Sequence, residues 1–319
     1  MSDPPARRTV TTGSRLHFGP LTWPGPLDDP TTRPDFGGVG LMVDAPATRV
    51  TATPADDWST LHDRPRLVEA LASQPQRQPP RQVTIDRAAP GHIGLGSGTQ
   101  RELAIAAACG LPVEAAALAA ATGRGRRSAI GVHGFCRGGF LIDGGRPDGE
   151  PLGRLAHRAD FPDWPLHLVR LSDRVGLFGP AEARAFETLR PMEASRSERL
   201  HTLADAMLAA VASVDRFAFA AALIDYGLLV GEFFAPTQHG RRLLDPGWDD
   251  LLPQLAAQGC GVAQSSWGPT VLVVGEFDPD LLAGAHAVRP VRPRNTPAAI
   301  VDGPTSPADG PTQPVDGPT

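Results

Sequence analysis

The chain has 319 residues, 41% apolar and 20% charged, enough for one large domain or two ordinary ones with a substantial core. Its net charge of −5 gives no general pull toward nucleic acid or an acidic membrane, so neither is expected as a partner. All 30 basic residues are Arg and none is Lys, which excludes a Schiff-base lysine, and with it pyridoxal phosphate, as well as a lysine-bearing P-loop.

In chain order, Met1–Val10 is polar and carries no hydrophobic leader. β-Branched alternation predicts strands over Thr9–Phe18, Gly38–Asp44, Thr48–Thr53 and Gln82–Arg87. Ala- and Leu-rich runs predict helices over Gly98–Cys109 and Val113–Ala121, and Arg137–Asp143 reads as a return to strand. Pro165–Leu171 reads as a strand that opens a second domain. Helices follow over Ala181–Leu189, Ser197–Ala212, Phe217–Phe234 and Asp249–Gln258, then strands over Val271–Val274 and Ala287–Val291. Phe217–Phe234 is the longest apolar stretch, but Asp225 and Glu232 within it favour a buried helix over a membrane span. Runs of strands and helices without strict alternation give an α+β class. The expected units are 1–164, 165–296 and a tail over 297–319, where three Asp-Gly-Pro-Thr repeats offer too few apolar groups to repay ordering. The widely spaced Cys109, Cys136 and Cys260 predict reduced thiols and a cytoplasmic location.

The most informative segment is Pro90–Gln100, where a strand enters a turn holding Gly91, Gly94, Gly96 and Gly98 and a helix leaves it. Glycines let amides converge, and a helix N-terminus adds unpaired donors and partial positive charge, so Gly94, Gly96, Ser97, Gly98, Thr99 and Gln100 are expected to cradle phosphate. Thr99 and Glu102 also fit a T-x-x-E capping box. A second Gly/Ser segment holds Gln264, Ser265, Ser266, Trp267 and Gly268, suited to a phosphate or a ring, or to an ordinary hairpin turn. Arg124, Arg126, Arg127 and Ser128 lie among glycines, a composition suited to pyrophosphate or carboxylate and equally to a solvated loop. Arg15 and His17 are two apart, so on a strand they share a face.

These segments together resemble one family. Ser14-Arg-Leu-His-Phe-Gly19, Phe36-Gly-Gly-Val-Gly-Leu-Met-Val-Asp44, Gly94-Leu-Gly-Ser-Gly-Thr-Gln100, Gly123–Gly131, Arg137–Gly145 and Gln264–Thr270 stand in the order seen in beta-ribofuranosylaminobenzene 5'-phosphate synthases of the GHMP kinase superfamily. The resemblance implies a two-domain GHMP-kinase-like fold, with a ribosomal S5 domain 2-like N-terminal half and a ferredoxin-like C-terminal half. It implies C-glycosyl transfer from phosphoribosyl pyrophosphate to 4-aminobenzoate or 4-hydroxybenzoate with loss of carbon dioxide and pyrophosphate, in methanopterin biosynthesis. It further implies Mg²⁺ to neutralise the pyrophosphate, with Glu102 or Asp143 either helping to hold it or serving the structure alone, and a homodimer. Arg15 or Arg137 would meet the benzoate carboxylate, and His17 or His92 would handle a proton. GHMP kinases commonly place Ser-Gly-x-x-Asp after the phosphate loop, whereas Arg127–Gly134 has no Asp, which counts against the alternative reading as an ATP-dependent small-molecule kinase. A non-catalytic phosphometabolite-binding protein is the remaining alternative.

Overall fold

The computed structural model describes residues 7–23, 36–75, 78–146 and 150–303. Two antiparallel sheets carry the chain. In the first, β1 (Arg7–Gly19) pairs along most of its length with β2 (Gly38–Pro54). The two strands expected over 38–44 and 48–53 are this single long strand, which bends at Asp44–Ala47, opposite a register shift between Thr12 and Ser14. β3 (Arg81–Arg87) pairs the second half of β2, and β4 (Phe140–Asp143) pairs the first half. β5 (Leu155–Ala159) extends the sheet beyond β4.

Helices α1 (Pro65–Ala72), α2 (Ser97–Ala108), α3 (Ala115–Thr122) and α4 (Ile130–Arg137) belong to this half, with α2 and α4 packed on β1 and β2. Seven residues of α2, Gln100 and Leu103–Ala108, are buried, so it is a core helix, and small side chains let it lie close to the sheet. α4 occupies a stretch with no expected element and takes in Arg137, so the strand expected from Arg137 begins only at Phe140. Gly131 and Gly134 lower the helix propensity of α4, but the close packing requires them. A Cβ on Gly134 would sit 2.5 Å from Met42 Sδ, and one on Gly131 would sit 3.1 Å from Thr99 Cγ2.

In the second half β6 (Leu166–Arg170) is followed by α5 (Gly179–Thr188), α6 (Ala194–Ala212), α7 (Arg216–Phe234) and α8 (Trp248–Ala257). β7 (Gly261–Gln264), β8 (Val271–Val274) and β9 (Ala287–Val291) complete a four-stranded sheet in the order β7-β8-β6-β9. Asp215 caps α7 by accepting from Ala218 N–H at 3.0 Å. Arg216–Thr237 is long and apolar enough to cross a membrane, with mean hydropathy 1.6, yet 50% of that window is buried inside the protein, against α6 and β7. One apolar core joins the halves: Leu16, Phe18 and Leu41 of the first sheet pack with Leu166, Leu272, Phe219 and Tyr226.

The expectation of an unordered tail from residue 297 is corrected over Ala299–Gly303. These residues form β10, which pairs with β1 from Arg7↔Gly303 to Thr11↔Ala299. The Arg8 guanidinium meets the Asp302 carboxylate at 2.8 Å and 2.9 Å, so Val301-Asp-Gly, the start of the first repeat, is held by backbone ladder and ion pair together. The later repeats lie outside the described residues.

Candidate active site

The site forms where α2 begins, against the turn between β7 and β8. Gly96 caps α2 in a left-handed conformation at φ 64°, with no side chain capping the helix. The first bond of the helix runs from Gln100 N–H to Gly96 C=O at 3.0 Å, so the amides of Ser97, Gly98 and Thr99 precede the ladder. An added Cβ on Gly98 or Gly91 would meet nothing within 4 Å, which leaves that side of the loop open.

The other side is closed by contact with the Ser265–Gly268 turn. Gly94 has φ 90°, and a Cβ there would fall 2.4 Å from Ser265 C=O; one on Gly268 would fall 2.3 Å from Gly94 Cα. Ser265 Oγ donates to Gly94 C=O at 2.6 Å and accepts from His17 N–H at 3.1 Å, while Ser266 N–H donates to His17 C=O at 2.7 Å. Arg15 N–H donates to Leu95 C=O at 2.9 Å. Strand β1, the phosphate loop and the β7–β8 turn are thereby locked to one another.

Two contiguous cavities open on this junction. The larger, about 530 Å³, is lined by Gly91, His92 and Gly94–Gly98, by Thr99 and Arg124, and by the Gly176–Gly179 segment. The smaller, about 300 Å³, is lined by His17, by Gly123–Ser128 and by the rings of Trp23, Phe36, Phe186, Phe234 and Trp267. Arg15, Thr99, Arg124, Glu182, Ser266 and Trp267 line both. The rings form a continuous wall: Trp23 stacks on Phe186 at 4.9 Å, and Trp267 meets Phe186 at 4.6 Å and Phe234 at 5.0 Å.

Arg15 and His17 share one face of β1, as their spacing requires. Arg15 Nε and His17 Nε2 are buried without a protein partner. Burial brings the Arg15 guanidinium down to about 10, with Glu182 pulling the other way, so it remains a cation at neutral pH. Burial, joined by the Arg15 charge, pushes the His17 imidazole down to about 3, so it is neutral there. His92 stands at the rim of the larger cavity with φ 60°, its ring stacked on Phe178 at 3.9 Å and its carbonyl accepting from Gly176 N–H at 2.6 Å.

Four expected site residues serve the framework instead. Gln100 is fully buried: its carbonyl accepts from Thr12 Oγ1 at 2.7 Å and its amide donates to Gly131 C=O at 2.8 Å, while its N–H belongs to the helix ladder. Gln264 braces its own turn through Leu244 N–H, Gln238 and Ser266 C=O, and Ser265 is the buried link already described. Arg137 ends α4, away from the helix start that faces the site, and lines neither cavity. The capping box also fails, since Glu102 pairs with Arg64 at 2.8 Å and Thr99 lies inside the helix. Asp143 is held as a buried acceptor of Ala129 N–H at 2.6 Å and Gly145 N–H at 3.0 Å; it anchors the start of α4, and burial raises its carboxyl.

Arg124, Arg126, Arg127 and Ser128 do line the site. Arg127 is already engaged, 3.4 Å from Glu182 and 4.1 Å above the Phe186 ring. Glu182, Trp23, Phe178 and Phe186 were not read from the sequence as site residues. The first turn of α5 supplies Glu182, and only the tertiary fold brings that helix over the arginine loop. No cluster of three His, Cys, Asp or Glu side chains able to hold a metal exists among the described residues.

The fold is shared with mevalonate diphosphate decarboxylase from Staphylococcus aureus, at TM-score 0.63 and 14% identity over 94% of this chain and 99% of that one. It is shared also with a putative homoserine kinase from Listeria monocytogenes, at TM-score 0.52 and 19% identity over 92% and 99%. The protein thus has the GHMP-kinase fold, with the glycine loop and its helix N-terminus as its centre. No family model matches the chain. The beta-ribofuranosylphenol 5'-phosphate synthase of Methanothermobacter thermautotrophicus is 30% identical over 311 residues, spanning 87% of this chain and 92% of that protein. The protein of the same name from Archaeoglobus fulgidus is 31% identical over 289 residues, spanning 83% and 87%. The chain belongs to this family of enzymes, the one its sequence motifs resemble, here named for a phenol in place of an aminobenzene product.

Proposed function

We propose that the protein joins the ribosyl carbon of phosphoribosyl pyrophosphate to a 4-substituted benzoate, as a step of methanopterin-type biosynthesis. The observation that carries this reading is the pair of contiguous cavities. One has a helix N-terminus and guanidinium groups suited to a diphosphate, and the other has an aromatic wall suited to a ring. Arg15, Ser266 and Trp267 stand where the two meet. That arrangement would hold the anomeric carbon against the ring, and holding two reactants in register is itself a large part of such a barrier.

In the reaction the anomeric C–O bond to diphosphate breaks and the electron pair leaves with diphosphate. The amides of Ser97, Gly98 and Thr99, with Arg15 and Arg124, would stabilise that charge as it develops. The ring carbon bearing the carboxylate forms the new C–C bond. The carboxylate then leaves as carbon dioxide, returning its bonding pair to the ring, so no proton has to be removed from carbon. A neutral His17 suits such chemistry, as a hydrogen-bonding group toward substrate rather than as a base. Mg²⁺ would accompany the diphosphate and neutralise part of its charge, and Glu182, the carboxylate that lines both cavities, would help hold it by giving up its pairing with Arg127. Glu102 and Asp143, spent on Arg64 and on α4, are not available to it.

The test is incubation with phosphoribosyl pyrophosphate, Mg²⁺ and carboxyl-labelled 4-hydroxybenzoate or 4-aminobenzoate in parallel. Equimolar release of labelled carbon dioxide and pyrophosphate is expected with at least one acceptor. Absence of both with either acceptor overturns the reading, and ATP consumption with a small alcohol in their place would replace it with a kinase.

A further inference from the structure

A third cavity, about 470 Å³, uses the same glycine-rich loop but none of the six residues that line both reaction cavities. Pro90, Ile93 and Leu95 form one wall, and the bend of β2 at Asp44–Ala47 forms another. The opposite wall is the second sheet. Leu168 pairs with Arg289 and Arg170 with Ala287 across β6 and β9, so these four side chains share one face of that sheet. Arg87, at the end of β3, adds a further guanidinium.

Three arginines against the one carboxylate of Asp44 leave the lining with a formal charge of +2 (3 − 1). Asp44 is itself committed, accepting from Arg292 N–H at 2.9 Å. Two polar groups in this lining are buried without a partner: Thr270 Oγ1, on a residue only 1% exposed, and Arg170 Nε. A buried donor left unpaired is costly, and such groups are normally satisfied by protein, water or ligand. Thr270 and Arg170, whose guanidinium also donates to Ser172 C=O at 3.3 Å, line a space with an apolar floor of Ala, Pro, Ile and Leu side chains and a volume within the range of small-molecule sites.

We infer that this cavity is a second site for a small organic anion, a carboxylate or phosphate ester carried on an apolar body. Its anionic end would lie among Arg170, Arg289 and Thr270, with the body against Ile93, Leu95 and Leu168. Because it lacks Arg15, Ser266 and Trp267, its occupant is not a reactant; it would press on the phosphate loop from the side away from the diphosphate.

The test is calorimetric titration of the intact protein with benzoate and, separately, phenyl phosphate. The probe bound more tightly identifies the preferred anionic group. Arg289→Ala and Thr270→Val are each expected to weaken one binding event at least five-fold, while Arg15→Gln, in the reaction cavities, leaves that event in place. Thr270→Val removes a hydroxyl that has no partner, so its melting temperature is expected to match wild type, and weakened binding cannot then be assigned to misfolding. Binding of both probes that is indifferent to Arg289→Ala and Thr270→Val, or that vanishes wholly in Arg15→Gln, overturns the inference. So does a cavity that takes up water alone.

Discussion

Gly94 and Gly98 lie four residues apart in one loop, and the structure assigns them opposite demands. At Gly94 an alanine must adopt φ near 90° and place Cβ 2.4 Å from a backbone oxygen of Ser265. The conformation costs on the order of 1–3 kcal/mol, and the overpacking against a fixed backbone about as much again. At roughly 2 °C per kcal/mol for a chain of this size, Gly94→Ala should lower the melting midpoint by about 4–12 °C. Gly98 has open space around its Cβ position and lies in the first turn of α2. Alanine there should be neutral or stabilising by up to about 1 kcal/mol, because glycine loses more backbone entropy in a helix. The same methyl group would project beside the amides expected to hold diphosphate. Gly98→Ala should therefore melt at or slightly above wild type while binding inorganic pyrophosphate at least about tenfold more weakly, a loss of roughly 1.4 kcal/mol or more. Calorimetric titration beside a thermal melt reads both quantities. Undiminished pyrophosphate binding by Gly98→Ala would refute the placement of the anion at this helix end, and unchanged melting of Gly94→Ala would refute the packing argument.

Replacing Gln100 by Ala strands Thr12 Oγ1 and Gly131 C=O inside the core, so a loss of roughly 2–4 kcal/mol is expected in denaturant unfolding, with pyrophosphate affinity per folded molecule unchanged. Phe186→Leu should raise KM for the aromatic acid several-fold and leave pyrophosphate binding intact, which steady-state kinetics with both substrates will separate. His17 has an ordinary value of 6.5 when unfolded and about 3 in the fold, so the unfolded chain takes up the proton first. The stability linked to its neutral ring is intact above pH 6.5 and falls as pH drops toward 3, by up to about 1.4 kcal/mol per unit. His17→Asn should flatten that part of the wild-type stability profile over this window in urea unfolding. A difference profile that is level from pH 7 to 4 would contradict the buried, uncharged ring.

The elements read best from the sequence are those with strong local periodicity: the strands Arg7–Gly19 and Arg81–Arg87, and the helices of the second half. Helix α4 was missed because Gly131 and Gly134 speak against a helix locally, while their purpose, close approach to Met42 and Thr99, exists only after β2 and α2 have packed. β10 was missed because its sequence is that of a polar repeat, and what orders it is the long-range pairing of Arg8 with Asp302. For the candidate site, Gly94–Thr99 stand out through glycine spacing and Arg15 and His17 through strand parity, while Trp267 fits a hairpin turn as well as a ring site. Gln100, Gln264 and Ser265 belong to the same motifs but bond inward, a distinction that composition cannot make. Glu182 and the rings of Trp23, Phe178 and Phe186 come from segments distant in the chain, and no local pattern links them.

The pairing of Arg7 with Gly303 seals what would otherwise be an open flank of the first sheet. Trimming the protein back to residue 298 would strip that cover and bare the backbone amides and carbonyls of Arg7–Thr11, inviting a second molecule to add its own strand. Trimming experiments that aim only to remove the repeats should therefore stop after Gly303, or they will trade a soluble ending for an adhesive one.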